Sequence, residues 1–136
     1  MKARASGRFD VRRTPQPQSA EEAELLARHE LAKVFHGDLD ATGTGVMLSV
    51  GTAVEGSAAY SALEVVRGRL HGREGSFALQ HAGVMTRGAP ALSIRVVPDS
   101  GTGELVGLDG TLGIRIDAGT HHYDFDYTLP PRDDAL

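Results

Sequence analysis

The sequence predicts an all-β domain, an eight-stranded antiparallel sheet that closes into a barrel. Three observations carry this expectation. About eight short runs alternate apolar and polar residues at the two-residue period of a half-buried strand. The breaks between them are rich in glycine, proline and aspartate, and the 17 glycines are scattered rather than gathered into a linker. No long helical segment carries a parallel crossover, which leaves antiparallel pairing. Eight such strands close into a barrel just wide enough for its own side chains or one small ligand. A two-sheet sandwich is the alternative.

The elements follow in order. Residues 5–14 place Phe9 and Val11 on one side and Arg8, Asp10 and Arg12 on the other, and Pro15 and Pro17 end the run. Residues 19–35 carry two signals. Ser19 and Glu22 have capping-box spacing, and Ala23, Leu26, Ala27, Glu30, Leu31 and Val34 recur at helical spacing. Yet Val34-Phe35-His36 runs straight into Gly37-Asp38, a turn signal. The segment therefore reads as a loop or short helix to about Leu26 and a strand from there to about Asp38. From Gly43 onward the pattern is β. Val46, Leu48 and Val50 alternate with Met47 and Ser49, and residues 58–70 and 75–86 form the next two runs. Residues 91–97 form a strand stopped by Pro98, residues 99–109 a glycine-rich loop, and residues 111–117 and 121–129 the last two strands. Gly43-Thr44-Gly45 and Gly101-Thr102-Gly103 read as turn chemistry rather than as a duplicated unit. The whole chain, 1–136, reads as one domain, with residues 1–4 and 130–136 expected to be disordered.

Composition narrows the function classes. The 136 residues include no cysteine, which excludes disulfides, thiolate chemistry, zinc ribbons and iron–sulfur clusters and suits a cytoplasmic protein. The formal net charge of -4 argues against nucleic acid as a partner. Lys2, Arg4, Arg8, Arg12 and Arg13 make a basic start, but no apolar stretch follows, so no signal peptide is expected. No run nears the roughly 18 apolar residues of a membrane span, so no membrane partner is expected. The basic start reads as a solvated strand face.

One hairpin can be argued in detail. Gly72 suits the first central position of a two-residue type II′ loop, which sets His71 opposite Glu74, Gly68 opposite Phe77, Val66 opposite Leu79 and Glu64 opposite His81. Alternation then puts Tyr60, Ala62, Glu64, Val66, Leu70, Phe77, Leu79, His81 and Met85 on one face. That face is the more apolar and lacks the arginines of the other, so it should point inward. A carboxylate and an imidazole then lie side by side within an apolar interior. Such a pair can do general acid–base work, or it can be a satisfied pair that plugs one end of the core. Tyr60, Tyr123 and Tyr127 can line the same interior, or can merely pack and bond to backbone.

Other motifs are set aside. His122, Asp124 and Asp126 share one strand face but alternate with the apolar stripe, so they should face solvent and no metal site is assigned. His29 and His36 have no partner at ligand spacing. The glycines at 101, 103, 107 and 110 lack the spacing and context of a dinucleotide fingerprint, no lysine completes a P-loop, and no serine sits in a nucleophile elbow. Tryptophan is absent, which weakens any base-stacking platform.

Several stretches resemble one family. The run Gly75-Ser76-Phe77-Ala78-Leu79-Gln80-His81-Ala82-Gly83 looks like the "GSFxLQHxG" signature of the bacterial domain-of-unknown-function family 3224. Val97-Pro98-Asp99-Ser100-Gly101-Thr102-Gly103-Glu104-Leu105-Val106-Gly107-Leu108, the segment Lys33 to Leu39 and the ending His122 to Leu129 are similar to it as well. The likeness spans about Ala5 to Leu129. It implies an eight-stranded antiparallel barrel like that of allene oxide cyclase, related in shape to lipocalins, and a strand leading into Gly37. It also implies a small bacterial protein that self-associates into a homo-oligomer. It brings no activity and therefore no catalytic residues, and fold does not fix function.

The functional expectation is a barrel whose lumen takes a small, mostly apolar molecule and isomerises or cyclises it without a cofactor. Glu64 and His81 are the acid–base candidates, and Tyr60, Phe77, Tyr123 and Tyr127 would shape the cavity. The alternatives are a lipocalin-like carrier with the same cavity, and a filled barrel acting through its surface.

Overall fold

The computed structural model describes residues 2–16 and 26–131. Eight strands form one closed antiparallel barrel in sequence order: β1 (Lys2–Pro15), β2 (Ala27–Gly37), β3 (Leu39–Gly51), β4 (Ala58–Leu70), β5 (Arg73–Thr86), β6 (Ala89–Val96), β7 (Asp109–Asp117) and β8 (Thr120–Thr128). A single 3-10 turn at Gly103–Leu105 interrupts the β6–β7 connection. Residues 2–4, expected outside the fold, begin β1 and pair with Thr128 to Asp126 of β8, the seam that helps close the barrel. The strand expected to end near Asp38 is β2; the capping-box reading at Ser19 and Glu22 lies outside the described residues.

The β4–β5 hairpin turns one residue earlier than the sequence suggests, which shifts its pairing by two. Leu70 pairs with Arg73, so the loop is His71-Gly72, and both residues have positive φ, 46° and 79°. That is the signature of a type I′ turn rather than II′. Gly68 therefore faces Gly75, Val66 faces Phe77, and Glu64 faces Leu79. A shift of two residues keeps every side chain on its expected face, whereas a shift of one would invert them all. Hence Ala62, Glu64, Val66, Leu70, Phe77, Leu79 and His81 point inward and are buried, while Leu63 and Val65 point out.

The lumen is divided along its axis. At the end carrying the β2–β3 and β4–β5 turns, Phe35, Leu39, Phe77, Tyr123, Phe125 and Tyr127 pack into a dense cluster, and Leu105 and Leu108 of the β6–β7 connection cover it. Aromatic rings order this floor: Phe77 stacks on Phe125 at 5.8 Å, and Tyr123 meets Phe35 edge-on at 5.7 Å. The opposite half is less filled. β6 and β7 share one registered pair, Arg95 with Thr111, and none between it and the other end.

Gly43-Thr44-Gly45 is not a turn. It lies mid-strand in β3, with both glycines facing the lumen and Thr44 facing out. The second Gly-Thr-Gly does serve a turn: Gly103 has φ 60°, and Thr102 ties the loop to Ser76 through a backbone bond of 2.8 Å and a side-chain bond of 3.0 Å.

Candidate functional site

The inward face of β3 explains the central cluster. Lys33 lies on β2 opposite Gly43, and Glu64 lies on β4 opposite Gly45. β2 and β4 are separated by the whole of β3, about 10 Å at the usual strand spacing. Two glycines in β3 leave that gap empty of side chains. The Lys33 ammonium and the Glu64 carboxylate meet across it, with Nζ 2.9 Å from Oε1. A β-carbon on Gly43 would lie 2.6 Å from Glu64 Oε2, and one on Gly45 would meet the Leu63 carbonyl oxygen first and lie 2.7 Å from Glu64 Cβ. The glycines are therefore required by the close approach of β4, at Gly43 of its Glu64 side chain and at Gly45 of its backbone as well, not by backbone angle.

His81 completes the cluster from β5. It is opposite Ala62, not Glu64, so the imidazole reaches the carboxylate diagonally. His81 Nε2 lies 2.5 Å from Glu64 Oε1, the same oxygen that Lys33 contacts. Glu64 is 2 % exposed and His81 3 %. Burial alone would raise the Glu64 pKa. The hydrogen bond from His81, together with the charge and hydrogen bond of Lys33, outweighs it and holds the carboxyl below its ordinary range. An ionised carboxylate only accepts hydrogen bonds, so Nε2 carries the hydrogen and a neutral His81 keeps its lone pair on Nδ1. The second oxygen, Oε2, has no hydrogen-bond partner. Lys33 Nζ also lies 5.3 Å from the Phe9 ring centre and 6.0 Å from that of Phe35, so two aromatic faces share in stabilising its charge.

Above this cluster lies a cavity of about 760 Å³, within the usual range for small-molecule sites. Its walls are mostly apolar, including Leu31, Met47, Ala58, Leu92 and Ile114. It lies toward the end where β6 and β7 are unpaired, and its lining there includes Val84, Met85 and Ile116, exposed by 53 %, 42 % and 67 %. Lys33 and His81 reach its lining; Glu64 lies behind them, in contact with both. Arg13, Tyr60 and His121 add polar groups to the wall. Burial and the nearby Glu64 charge raise the Tyr60 pKa, so its hydroxyl keeps its proton at neutral pH.

Of the residues expected from sequence, Glu64 and His81 come together and Tyr60 lines the cavity. Phe77, Tyr123 and Tyr127 do not line it; they belong to the packed floor on the far side of the cluster. The Tyr123 hydroxyl accepts the Leu39 N–H at 2.9 Å and donates to the His36 carbonyl at 2.8 Å, fastening the β2–β3 turn. The Tyr127 hydroxyl is 2.5 Å from His71 Nδ1 in the β4–β5 turn. His122 is half-buried; Asp126 is exposed and bound to Arg4, and Asp124 is bound to Arg115 and Ser6. Among the described residues no group of three metal-ligating side chains comes together, and no helix is long and apolar enough to cross a membrane.

Lys33 is the functional candidate that sequence reasoning missed. Its signal was available, because Leu31, Lys33 and Phe35 share one parity on β2 and all three are buried. The competing helical spacing of Ala27, Glu30, Leu31 and Val34 in the same segment concealed that parity.

Comparison with known proteins agrees with this architecture. No curated protein matches the chain. A crystal structure of a protein with unknown function from the DUF3224 family of Shewanella oneidensis MR-1 is 47 % identical. It superposes with a TM-score of 0.90, over 97 % of this chain and 100 % of that one. Residues 5–127 match the family described as "Protein of unknown function (DUF3224)", and the chain belongs to that family.

Proposed function

We infer that the barrel holds a small, mostly apolar molecule in its half-open cavity and that His81, backed by Glu64, moves a proton on it. The observation that carries this reading is the juxtaposition of an apolar cavity with a titratable cluster at its inner end. Chemistry of this kind, an isomerisation or a cyclisation, requires no cofactor. The imidazole offers a basic Nδ1, the carboxylate fixes the ring and stabilises the imidazolium that would form, and the apolar wall limits competition from water. Tyr60, protonated, supplies a hydrogen-bond donor for a polar atom of the guest.

A carrier without turnover is the second reading. It is favoured by the Lys33–Glu64 ion pair, which satisfies the carboxylate as a structural plug would. The two readings separate by experiment. Binding is followed with 1-N-phenylnaphthylamine, a neutral apolar fluorophore. Any molecule released from the purified protein by organic extraction is added back and followed by mass spectrometry. An enzyme should convert it, and His81→Ala and Glu64→Gln should stop conversion while the fluorophore still binds. A carrier should return it unchanged, with the variants altering affinity alone. Failure of the fluorophore to bind would remove both readings.

A further inference from the structure

The chain has two lysines, Lys2 and Lys33, against twelve arginines. One lysine is at the start of β1; the other is the only buried lysine or arginine among the described residues. A protein that uses arginine almost everywhere else places a primary amine at the inner end of its apolar cavity. Arginine cannot lose its proton or form an imine under ordinary conditions; lysine can do both. Lys33 reaches the cavity lining, and its counter-ion Glu64 lies on the side away from the opening.

We propose that Lys33 is a carbonyl-capturing amine and that the cavity takes an apolar aldehyde or ketone, bound reversibly as an imine. This rests on the cavity being a ligand site and names the class of its occupant. The surroundings suit an iminium at the position the ammonium now holds. The carboxylate 2.9 Å away remains its counter-ion, and the Phe9 and Phe35 faces stabilise either cation. An iminium also carries fewer N–H groups than an ammonium, and so demands fewer partners in an apolar wall.

The step balances without an external reagent. The Lys33 ammonium passes one proton to Glu64 Oε1, and its lone pair attacks the carbonyl carbon. A carbon–nitrogen bond forms as the carbonyl π bond breaks, and the oxygen takes up a second proton, given up by the nitrogen. The resulting carbinolamine loses its hydroxyl as water, with the Glu64–His81 pair returning the proton. Aldehyde plus ammonium thus gives iminium plus water, and the remaining N–H points back to the carboxylate. Reversal by water releases the carbonyl compound. With Glu64 and His81 beside it, the captured iminium would also acidify the adjacent carbon, linking capture to proton transfer.

The small number of amines makes the test direct. The folded protein is incubated with decanal at neutral pH, reduced with cyanoborohydride, and mapped by peptide mass spectrometry. Lys33 should be alkylated about tenfold or more over Lys2 and the N-terminal amine, because the cavity concentrates and orients the aldehyde. 1-N-phenylnaphthylamine should protect Lys33 and leave Lys2 unaffected. Lys33→Arg keeps a cation for Glu64 and should reduce labelling to the surface level. Should that variant misfold, the wild-type site map still decides the matter. Labelling confined to Lys2 and the N-terminus, while the fluorophore binds and decanol displaces it, would overturn imine capture and leave the cavity reading intact. If neither fluorophore nor decanal enters, both fail.

Discussion

Replacing Lys33 by methionine tests how the barrel tolerates a charge at its centre. Methionine has similar length and no branching, so the volume change is small. The loss is electrostatic. Glu64 is 2 % exposed and keeps one hydrogen-bond partner, His81, in place of two. Removing one member of a buried pair strands the other, at a cost of about 3–5 kcal/mol. Glu64→Gln strands the ammonium instead and should cost a similar amount. The double variant Lys33→Met/Glu64→Gln leaves neither charge behind. Its destabilisation should fall short of the sum of the single changes by about 2–3 kcal/mol, the upper range for contacting residues. Urea unfolding of the four proteins, with unchanged m values, measures this. Strict additivity would mean that the two groups do not interact across the glycine gap.

Other expectations follow from the same geometry. Gly43→Ala brings a methyl group to 2.6 Å from Glu64 Oε2; the carboxylate must move, and the variant should lose about 1–3 kcal/mol in urea unfolding together with any turnover. Gly83→Ala would place its methyl 2.7 Å from Tyr60 Cδ1 and closer still to Cε1, turning the ring and changing fluorophore affinity severalfold while the far-ultraviolet spectrum stays that of the barrel. Tyr123→Phe removes the acceptor of the Leu39 N–H and should cost about 1–3 kcal/mol, with no effect on fluorophore affinity, because Tyr123 lies below the cluster. The pH dependence has a definite sign. Glu64 ionises more readily in the fold than in the unfolded chain, so its contribution is fully present above the ordinary carboxylate range and is lost as pH falls through that range to the lower folded value. Acid unfolding of wild type against Glu64→Gln reads this as a shallower slope in the variant.

Much of this arrangement was legible in the sequence because side-chain alternation is robust to small errors of register. The β4–β5 turn lies one residue earlier than the sequence suggests and the pairing moves by two, yet Glu64 and His81 keep the inner face and stay together, meeting diagonally instead of directly. The depth of a residue along the barrel was not legible. Alternation says which face a tyrosine takes but not which end of the lumen it occupies: Tyr60 lines the cavity, while Tyr123 and Tyr127 belong to the packed floor. Gly43-Thr44-Gly45 was misread because glycine serves both turns and close approach, and only the three-dimensional neighbour, here Glu64, decides between them. Lys33 was hidden by residues whose spacing satisfies helix and strand at once. In a closed barrel the strand pairing decides, since each strand supplies the hydrogen-bond partners of its neighbours.

The apolar cavity beside Lys33, Glu64 and His81 is proposed as a ligand site. Its most direct test is a nuclear Overhauser map of the protein saturated with 1-N-phenylnaphthylamine. The outer face of the barrel provides an internal competitor, because Leu63 and Val65 on β4 are exposed apolar residues outside the lumen. Contacts from the fluorophore to the methyl groups of Leu31, Met47 and Leu92 and to the His81 ring are the predicted result. Contacts confined to Leu63 and Val65, or none at all, would mean that the cavity is not where the molecule binds.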